Sequence, residues 1–459
     1  MDPPRPWQAV SLALMVTPQG PSNKSYYSET PFPFQFRIPS SKQNTLRRPR
    51  NRNRYRLLIC SDLSLSLSLS LSPPPPSSQM VSKSKEEIKV ILTKPFSLGD
   101  TDAAYRAPNL LQRVLSLFKS IRPGSDLTHF QLPPLFNFPK SQLQCYGESV
   151  YCTASDLLSK CNREQNPVDR FTSVVAWCIS TTRPTMLLAP YNPILGETHH
   201  ASRGNLNVLL EQVSHHPPVS ALHATDEEQN IEMIWCQQPS PKFCGTSVET
   251  QVLGKRQLKL LNHGETYEMN CPHLLIRIFP VPDINWVGNV NIRCLETGLA
   301  AELSFKSNSY LGLGGNRRLI KGKILNSSSS KVLYEVDGHW DRTVTIKDTS
   351  NGKVKVIYDA NEVISGLQSP TVRDPKSVMP TESALVWSEL SEAILSKEWE
   401  KASEAKKVVE ERQRKLARER ESRGENWIPK HFVVFQSKEG GWECSPIEKW
   451  VPSAPIAAL

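Results

Sequence analysis

From Leu206 onward, hydrophobic residues return at every second position in one short run after another: "IEMIWCQ", "TSVETQVLG", "LLIRIFPV", "GNVNIRCLE", "GLAAELSFK", "KVLYEVDGHW", "TVTIKD" and "KVKVIYD". Such alternation turns one face of a strand to a core and the other to water. Turn signals separate the runs, among them His263-Gly264, Gly314-Gly315 and the hairpin dipeptide Asn351-Gly352. The pattern predicts a long antiparallel meander. So many consecutive strands must split into a sandwich or curl into a barrel, and a wide barrel leaves an interior cavity suited to an apolar ligand.

Helical periods flank the strands. "PNLLQRVLSLFKSIRPG" carries Leu110, Leu111, Val114, Leu115, Leu117, Phe118 and Ile121, with Asn109 as N-cap and Pro123-Gly124 as the stop. This predicts a short amphipathic helix, either an ordinary core helix or a mobile lid that touches membranes. A second helix is expected from about Asp169 to Ser180, and one long charged helix from Ser383 to Gly424. Proline-rich joints, "LPPLFNFP" and "APYNPILGE", lie between the first helices and the strands.

Composition changes the picture mainly at the N-terminus. Residues 1–79 hold "LSLSLSLSLS" (Leu63–Ser72), then Pro73–Pro76, and no amphipathic period that could build a core. They are expected to be a disordered, low-complexity extension, with Met80 as the functional start and residues 80–459 as a single domain. The Arg-rich, Ser-rich character of the extension would also fit a transit peptide. The net charge of +10 reduces to +3 once residues 1–80, with ten Lys/Arg and three Asp/Glu, are set aside (10 − 7 = 3). Most of the excess sits in "RRPRNRNRYR" (Arg47–Arg56), so no nucleic-acid partner is expected of the body. No run approaches the roughly 18 to 20 apolar residues of a membrane span. A cytosolic protein is the expectation.

The ten cysteines contain no CxxC pair, which leaves neither a zinc ribbon nor a redox motif. His199, His200, His215 and His216 invite a metal, but no HExxH and no adjacent acidic cluster accompanies them, so no metal and no cofactor are expected. The stretch "EQVSHHPPVSA" (Glu211–Ala221) raises a sharper question. Successive side chains on a regular strand face opposite ways, so His215 and His216 could not share a ligand there. Pro217 and Pro218 remove two backbone donors and stop the ladder, which presents the pair on a stiff strand end. Two imidazoles so placed can donate to an anion, bind a metal or share a proton. In the last helix, Lys406, Glu410 and Arg414 are spaced four apart and form one stripe.

Together, "EQVSHHPPVSA", "NPILGE" (Asn192–Glu197) and the Lys406, Glu410, Arg414 stripe before Gly424 and Trp427 resemble the signature of the oxysterol-binding-protein-related family, over roughly Pro108 to Pro446. The resemblance is to its short, single-domain, plant-like members. It implies a mainly β fold with flanking helices: a large, nearly closed antiparallel β-barrel enclosing a lipid tunnel under an N-terminal helical lid. It implies no enzyme, but a monomer, peripheral on intracellular membranes, that binds and transfers a sterol or other lipid and exchanges it for phosphatidylinositol 4-phosphate at membrane surfaces. By similarity His215, His216, Lys406, Glu410 and Arg414 would hold the phosphoinositide, with Asn192 and Leu195 at the rim. Leu110, Leu111, Val114, Leu115, Phe118 and Leu127 would form the lid and tunnel. One departure stands out. Ala189 occupies a position where many relatives carry a Lys that contacts the inositol phosphates, which predicts weaker phosphoinositide binding unless another cation, such as Arg183, substitutes. A phosphoinositide hydrolase using the His pair, or a lipid sensor that does not transport, are the rival readings.

Overall fold

The computed structural model describes residues 89–458, apart from 120, 280–281, 308–317 and 438–440. The expectations for residues 1–79, the start at Met80 and the Gly314-Gly315 turn lie outside the described residues.

The helical N-terminal part comprises α1 (Leu110–Phe118), β1 (Asn137–Ser141), α2 (Gln142–Tyr151), α3 (Leu157–Arg163), α4 (Pro167–Ser180) and β2 (Ala189–Tyr191), with β1 and β2 paired in parallel. Asn109 precedes α1 as expected, but at φ 56° its side chain makes no capping bond, and the helix ends at Phe118 rather than Ile121. Helix α4 starts two residues earlier than its apolar period suggests. Asn166 caps it, accepting from the N–H groups of Val168 (2.8 Å) and Asp169 (3.4 Å), and Pro167 sits at the first helical position, where a missing N–H is harmless.

The alternating runs all become strands. In chain order these are β3 (Thr198–Arg203), β4 (Leu206–His215), β5 (Pro218–Asp226), β6 (Ile231–Phe243), β7 (Ser247–Leu253), β8 (Arg256–Leu260), β9 (Glu265–Met269), β10 (His273–Arg277), β11 (Asp283–Cys294), β12 (Leu299–Lys306), β13 (Leu319–Asn326), β14 (Lys331–His339), β15 (Thr343–Asp348) and β16 (Val354–Asp359). Six of them, β3, β4, β5, β8, β9 and β13, are additional to the eight runs read from the alternation. After α5 (Ala360–Ile364) and β17 (Thr371–Val372) come α6 (Ser383–Val386), α7 (Ser388–Leu395) and α8 (Trp399–Ser422), then β18 (Phe432–Gln436), β19 (Trp442–Pro446) and β20 (Ile456–Ala457). The expected single helix from Ser383 to Gly424 is thus three helices. Lys397, held at φ 58°, closes α7 and turns the chain before α8. Gly424 at φ 65° ends α8, as its place after the last periodic residue suggests.

Sixteen strands form one sheet, running from β16 back to β3 and on to β20 and β17. It curls into a barrel left open along one seam, because β16 and β17, the two ends of the ladder, do not pair with each other. The ladder forks in the middle. One half of β6 pairs β8 and the other half β7, while β11 divides likewise between β9 and β10. The interior is divided along the strands in the same way. Ile231, Met233 and Trp235 of β6, and Val208 and Leu210 of β4, pack with α2 and α4 in the main hydrophobic cluster. The opposite end of β6 borders a separate cluster that includes Leu110, Val114, Phe136, Phe138 and Phe243, and the opposite end of β4 places Val213 in another with Phe432 and Cys444. One end of the barrel is therefore filled by side chains and buried helix, and the other is left to the tunnel.

Candidate functional site

The hollow end opens into a cavity of about 1110 Å³. That is at the upper limit of ordinary ligand sites, which span roughly 300 to 1,000 Å³. Its depths are apolar, with Leu127, Leu188, Val248, Leu274, Ile276 and Ile278 on the walls, and its mouth is polar, with His215, His216, Lys406, Glu410 and Arg414. Helix α1 contributes Val114, Leu117 and Phe118 to the wall, as a lid should. Phe118 stacks on Phe243 with ring centroids 5.0 Å apart, which seats the lid on the end of β6. Three expected lid residues do not face the ligand space. Leu115 is 46% exposed on the outer side of α1, and Leu111 is not among the lining residues; Leu110 is buried, but in the packing behind the tunnel. Helix periodicity drew all of them into one stripe, although a nine-residue helix lying on a wall buries only a narrow part of that arc.

The paired histidines sit where the ladder reverses. Strands β4 and β5 pair up to His215↔Pro218, so His216 and Pro217 form the turn itself, after an irregularity between Gln212 and Ser214 that Gln212 braces by bonding the Ser214 carbonyl (2.9 Å) and Ser220 Oγ (2.6 Å). The two rings lie 4.5 Å apart between centroids. His215 Nδ1 lies 3.0 Å from the Pro193 carbonyl. A carbonyl only accepts, so Nδ1 carries the hydrogen, and Nε2 can donate to an anion only when the ring is protonated. Burial and the neighbouring His216 lower the His215 pKa, and partial desolvation with His129 lowers that of His216. Without a ligand anion both rings are therefore biased to the neutral form.

The His129 that bears on them escaped the sequence reading. It lines the cavity, with its ring 4.7 Å from that of His216. An isolated His between a helix and a proline-rich joint carries no pattern that could have marked it.

Helix α8 brings the cationic stripe to the same mouth. Lys406, Glu410, Gln413, Arg414, Ala417 and Arg420 all line the cavity, the repeat expected of one helix face. Glu410 accepts from Arg414 (3.0 Å). Lys406 Nζ donates to the Leu132 carbonyl (2.5 Å) and to Asn137 Oδ1 (3.0 Å), and burial pulls its pKa down to about 8, against the opposing pull of Glu410. Arg420 lies over the Trp427 ring, 5.5 Å from its centroid.

The "NPILGE" turn supplies the opposite rim, with Asn192 exposed and Leu195 half-buried. Its other residues build the turn. Buried Glu197 accepts from the Ile194 N–H (2.9 Å), Trp387 Nε1 (2.9 Å), Ser383 Oγ (2.7 Å) and the Ser141 hydroxyl, and burial still raises its pKa. Gly196 sits at φ 77°, where a Cβ would come within 2.6 Å of the Trp427 ring. Glu211, first residue of the histidine motif, is likewise structural: its buried carboxylate receives the N–H groups of Lys430 (2.9 and 3.1 Å) and His431 (2.9 Å), holding Ile428 and Pro429 against the tunnel.

The other His pair is engaged elsewhere. His199 bridges Glu382 (2.7 Å) and Tyr151 (2.7 Å), and His200 meets the Pro452 carbonyl (2.9 Å). No group of His, Cys, Asp or Glu among the described residues is arranged to hold a metal. Ala189 does line the cavity, but Arg183 does not. Its guanidinium is buried against the carbonyls of Glu148 (3.2 Å), Ser149 (3.4 Å) and Cys152 at the end of α2, which removes it as a substitute for the missing Lys.

An apolar tunnel inside a β-barrel, roofed by an amphipathic helix and rimmed with imidazoles and cations, defines a lipid-binding barrel. The same class emerges from comparison. Residues 114–451 match the family described as Oxysterol-binding protein. Oxysterol-binding protein-related proteins 4B and 4C of Arabidopsis thaliana are 53% and 55% identical over 81% and 80% of this chain, and 99% and 98% of their own lengths. Among solved structures, the Osh1 ORD domain in complex with cholesterol (TM-score 0.61, 21% identity) covers 77% of this chain and 89% of its own. The Osh3 ORD of Saccharomyces cerevisiae in complex with PI(4)P (TM-score 0.58, 22% identity) covers 78% and 95%. The chain belongs to the oxysterol-binding protein family.

Proposed function

We propose that this protein carries a sterol, or a neutral lipid of similar size, in its tunnel and exchanges it for phosphatidylinositol 4-phosphate, as a monomer working from the cytosol at the surface of intracellular membranes. One observation carries the reading: a single cavity combines an apolar interior with a mouth where two imidazoles, Lys406 and Arg414 converge. An apolar lipid body needs only the walls. A phosphate leaving water needs several donors at once, and charge-assisted bonds from Arg, Lys and imidazolium are the strong ones. Because the acyl chains of a phosphoinositide and a sterol would occupy the same walls, the two ligands exclude each other. The neighbouring folds crystallised with cholesterol and with PI(4)P support this pairing.

The rim supports docking to a membrane. Ile428 (78% exposed), Val433 and Ile447 present apolar side chains at the tunnel mouth beside Arg420. No helix among the described residues is long and apolar enough to cross a membrane. The test is transfer of labelled sterol between two vesicle populations, with phosphatidylinositol 4-phosphate in the acceptors only. The reading expects sterol to move one way and phosphoinositide the other. Binding without transfer would leave only a sensor, and release of inorganic phosphate would identify a hydrolase.

A further inference from the structure

We propose that His129 is a third member of the headgroup site, carried by the strap behind the lid, so that strap closure and binding of a phosphomonoester reinforce one another. The inference rests on the phosphoinositide reading above. The strap from Gly124 to Leu132 is not a loose loop. The N–H groups of Gly124 and Leu127 donate to the carbonyls of Phe243 (2.7 Å) and Pro241 (2.9 Å), and the Phe243 N–H donates to Ser125 (3.0 Å). This lays the strap along the hollow end of β6 and aims His129 at the turn between β4 and β5. There its ring approaches His216, which itself lies against His215. Three imidazoles then border one mouth, and His129 and His216 are exposed to it.

The other end of the strap is held by the same site. Lys406 donates to the Leu132 carbonyl, so a candidate phosphate ligand on α8 and one on the β4–β5 turn both grip this segment. The charged groups around His129 are Asp126 on its own strap, Lys242 paired opposite Asp126 on β6, His215 and His216 on the turn, and Lys406, Glu410 and Arg414 across the cavity from α8. Asp126 is engaged locally, accepting from the Thr128 N–H (2.8 Å) and hydroxyl (2.5 Å). With Asp126 held to Thr128 and Glu410 to Arg414, the ring nitrogens of His129, His216 and His215 are left to offer donors to one anion at the mouth. His129 thus supplies a donor of the kind that Ala189 cannot.

The test compares wild type with His129→Ala, His129→Gln and His216→Ala, each offered vesicles with labelled phosphatidylinositol 4-phosphate, vesicles with a fluorescent sterol, and inorganic phosphate as soluble probe. Loss of one charge-assisted donor should weaken phosphoinositide extraction by His129→Ala about tenfold or more, with sterol uptake within about twofold of wild type. His129→Gln, which keeps a hydrogen-bond donor without the charge an imidazole can gain, should fall between wild type and His129→Ala. Equal losses of sterol and phosphoinositide in His129→Ala would make the residue a structural part of the strap and overturn the proposal. If His216→Ala abolishes extraction while His129→Ala does not weaken it, the third-ligand inference fails alone; if neither variant weakens it, the headgroup reading fails as well. Inorganic phosphate binding that phosphoinositide vesicles do not displace would assign the cluster to a free anion and refute the link to lipid uptake.

Discussion

Raising the pH should release the phosphoinositide and leave the sterol in place. With Nδ1 of His215 committed to the Pro193 carbonyl, its Nε2 can donate to a phosphate only after taking up a proton. In the free protein, burial and His216 hold the His215 pKa below the ordinary 6.5, whereas a bound phosphate dianion would raise it. The sign follows by linkage. Affinity is full below the free-state value and declines as pH rises through the ligand-bound value, at up to about tenfold in Kd per pH unit for each proton taken up. Lys406 adds a second window. Its free-state pKa of about 8 means that it is charged in both states below that pH, and costs affinity only as pH climbs above it. The assay is extraction of labelled phosphatidylinositol 4-phosphate from vesicles of fixed composition between pH 5.5 and 9, with a sterol control and calorimetry in two buffers of different ionisation enthalpy. A rise in Kd between pH 6 and 8, with net proton uptake and a flat sterol curve, is expected. A flat phosphoinositide curve with no proton uptake would refute the reasoning.

Four further outcomes are expected. Val114→Asp, on the buried face of α1, should speed sterol loss while moving the midpoint of urea unfolding little, because it acts at the lid rather than in the main core; the exposed Leu115→Asp should match wild type in both measurements. Ala189→Lys should strengthen phosphoinositide binding about ten- to a hundredfold and leave sterol affinity unchanged, as read by vesicle extraction. Arg183→Ala should lower the unfolding midpoint without a selective loss of phosphoinositide affinity, since its guanidinium serves backbone carbonyls of α2. Glu211→Gln should destabilise the fold by about 1 to 3 kcal/mol in urea titration, by breaking the seat of the Lys430 and His431 amides.

The strands were legible because a period of two is local: each run declares its own faces, whatever it pairs with. Closure into a barrel was not, since a sandwich satisfies the same alternation, and only the shared motifs selected between them. The segments Arg256–Leu260, Glu265–Met269 and Leu319–Asn326 were missed because short or Lys-rich strands alternate weakly. At the site, His215, His216, Lys406, Glu410 and Arg414 could be named because adjacency or a four-residue spacing marks them. The roles of Glu197 and Glu211 could not, because their partners lie up to 220 residues away in the chain. His129 and Arg183 show the two directions of error. One joins the mouth without any pattern around it, and the other carries the right charge but points it at the end of α2.

The central claim is that one tunnel serves two lipids in turn. Native mass spectrometry of the protein after incubation with vesicles containing both a sterol and phosphatidylinositol 4-phosphate tests it most directly. The account predicts two bound species, each with a single lipid, whose ratio shifts toward sterol as the pH is raised. A species carrying both lipids at once, or a protein that takes up neither, would contradict it.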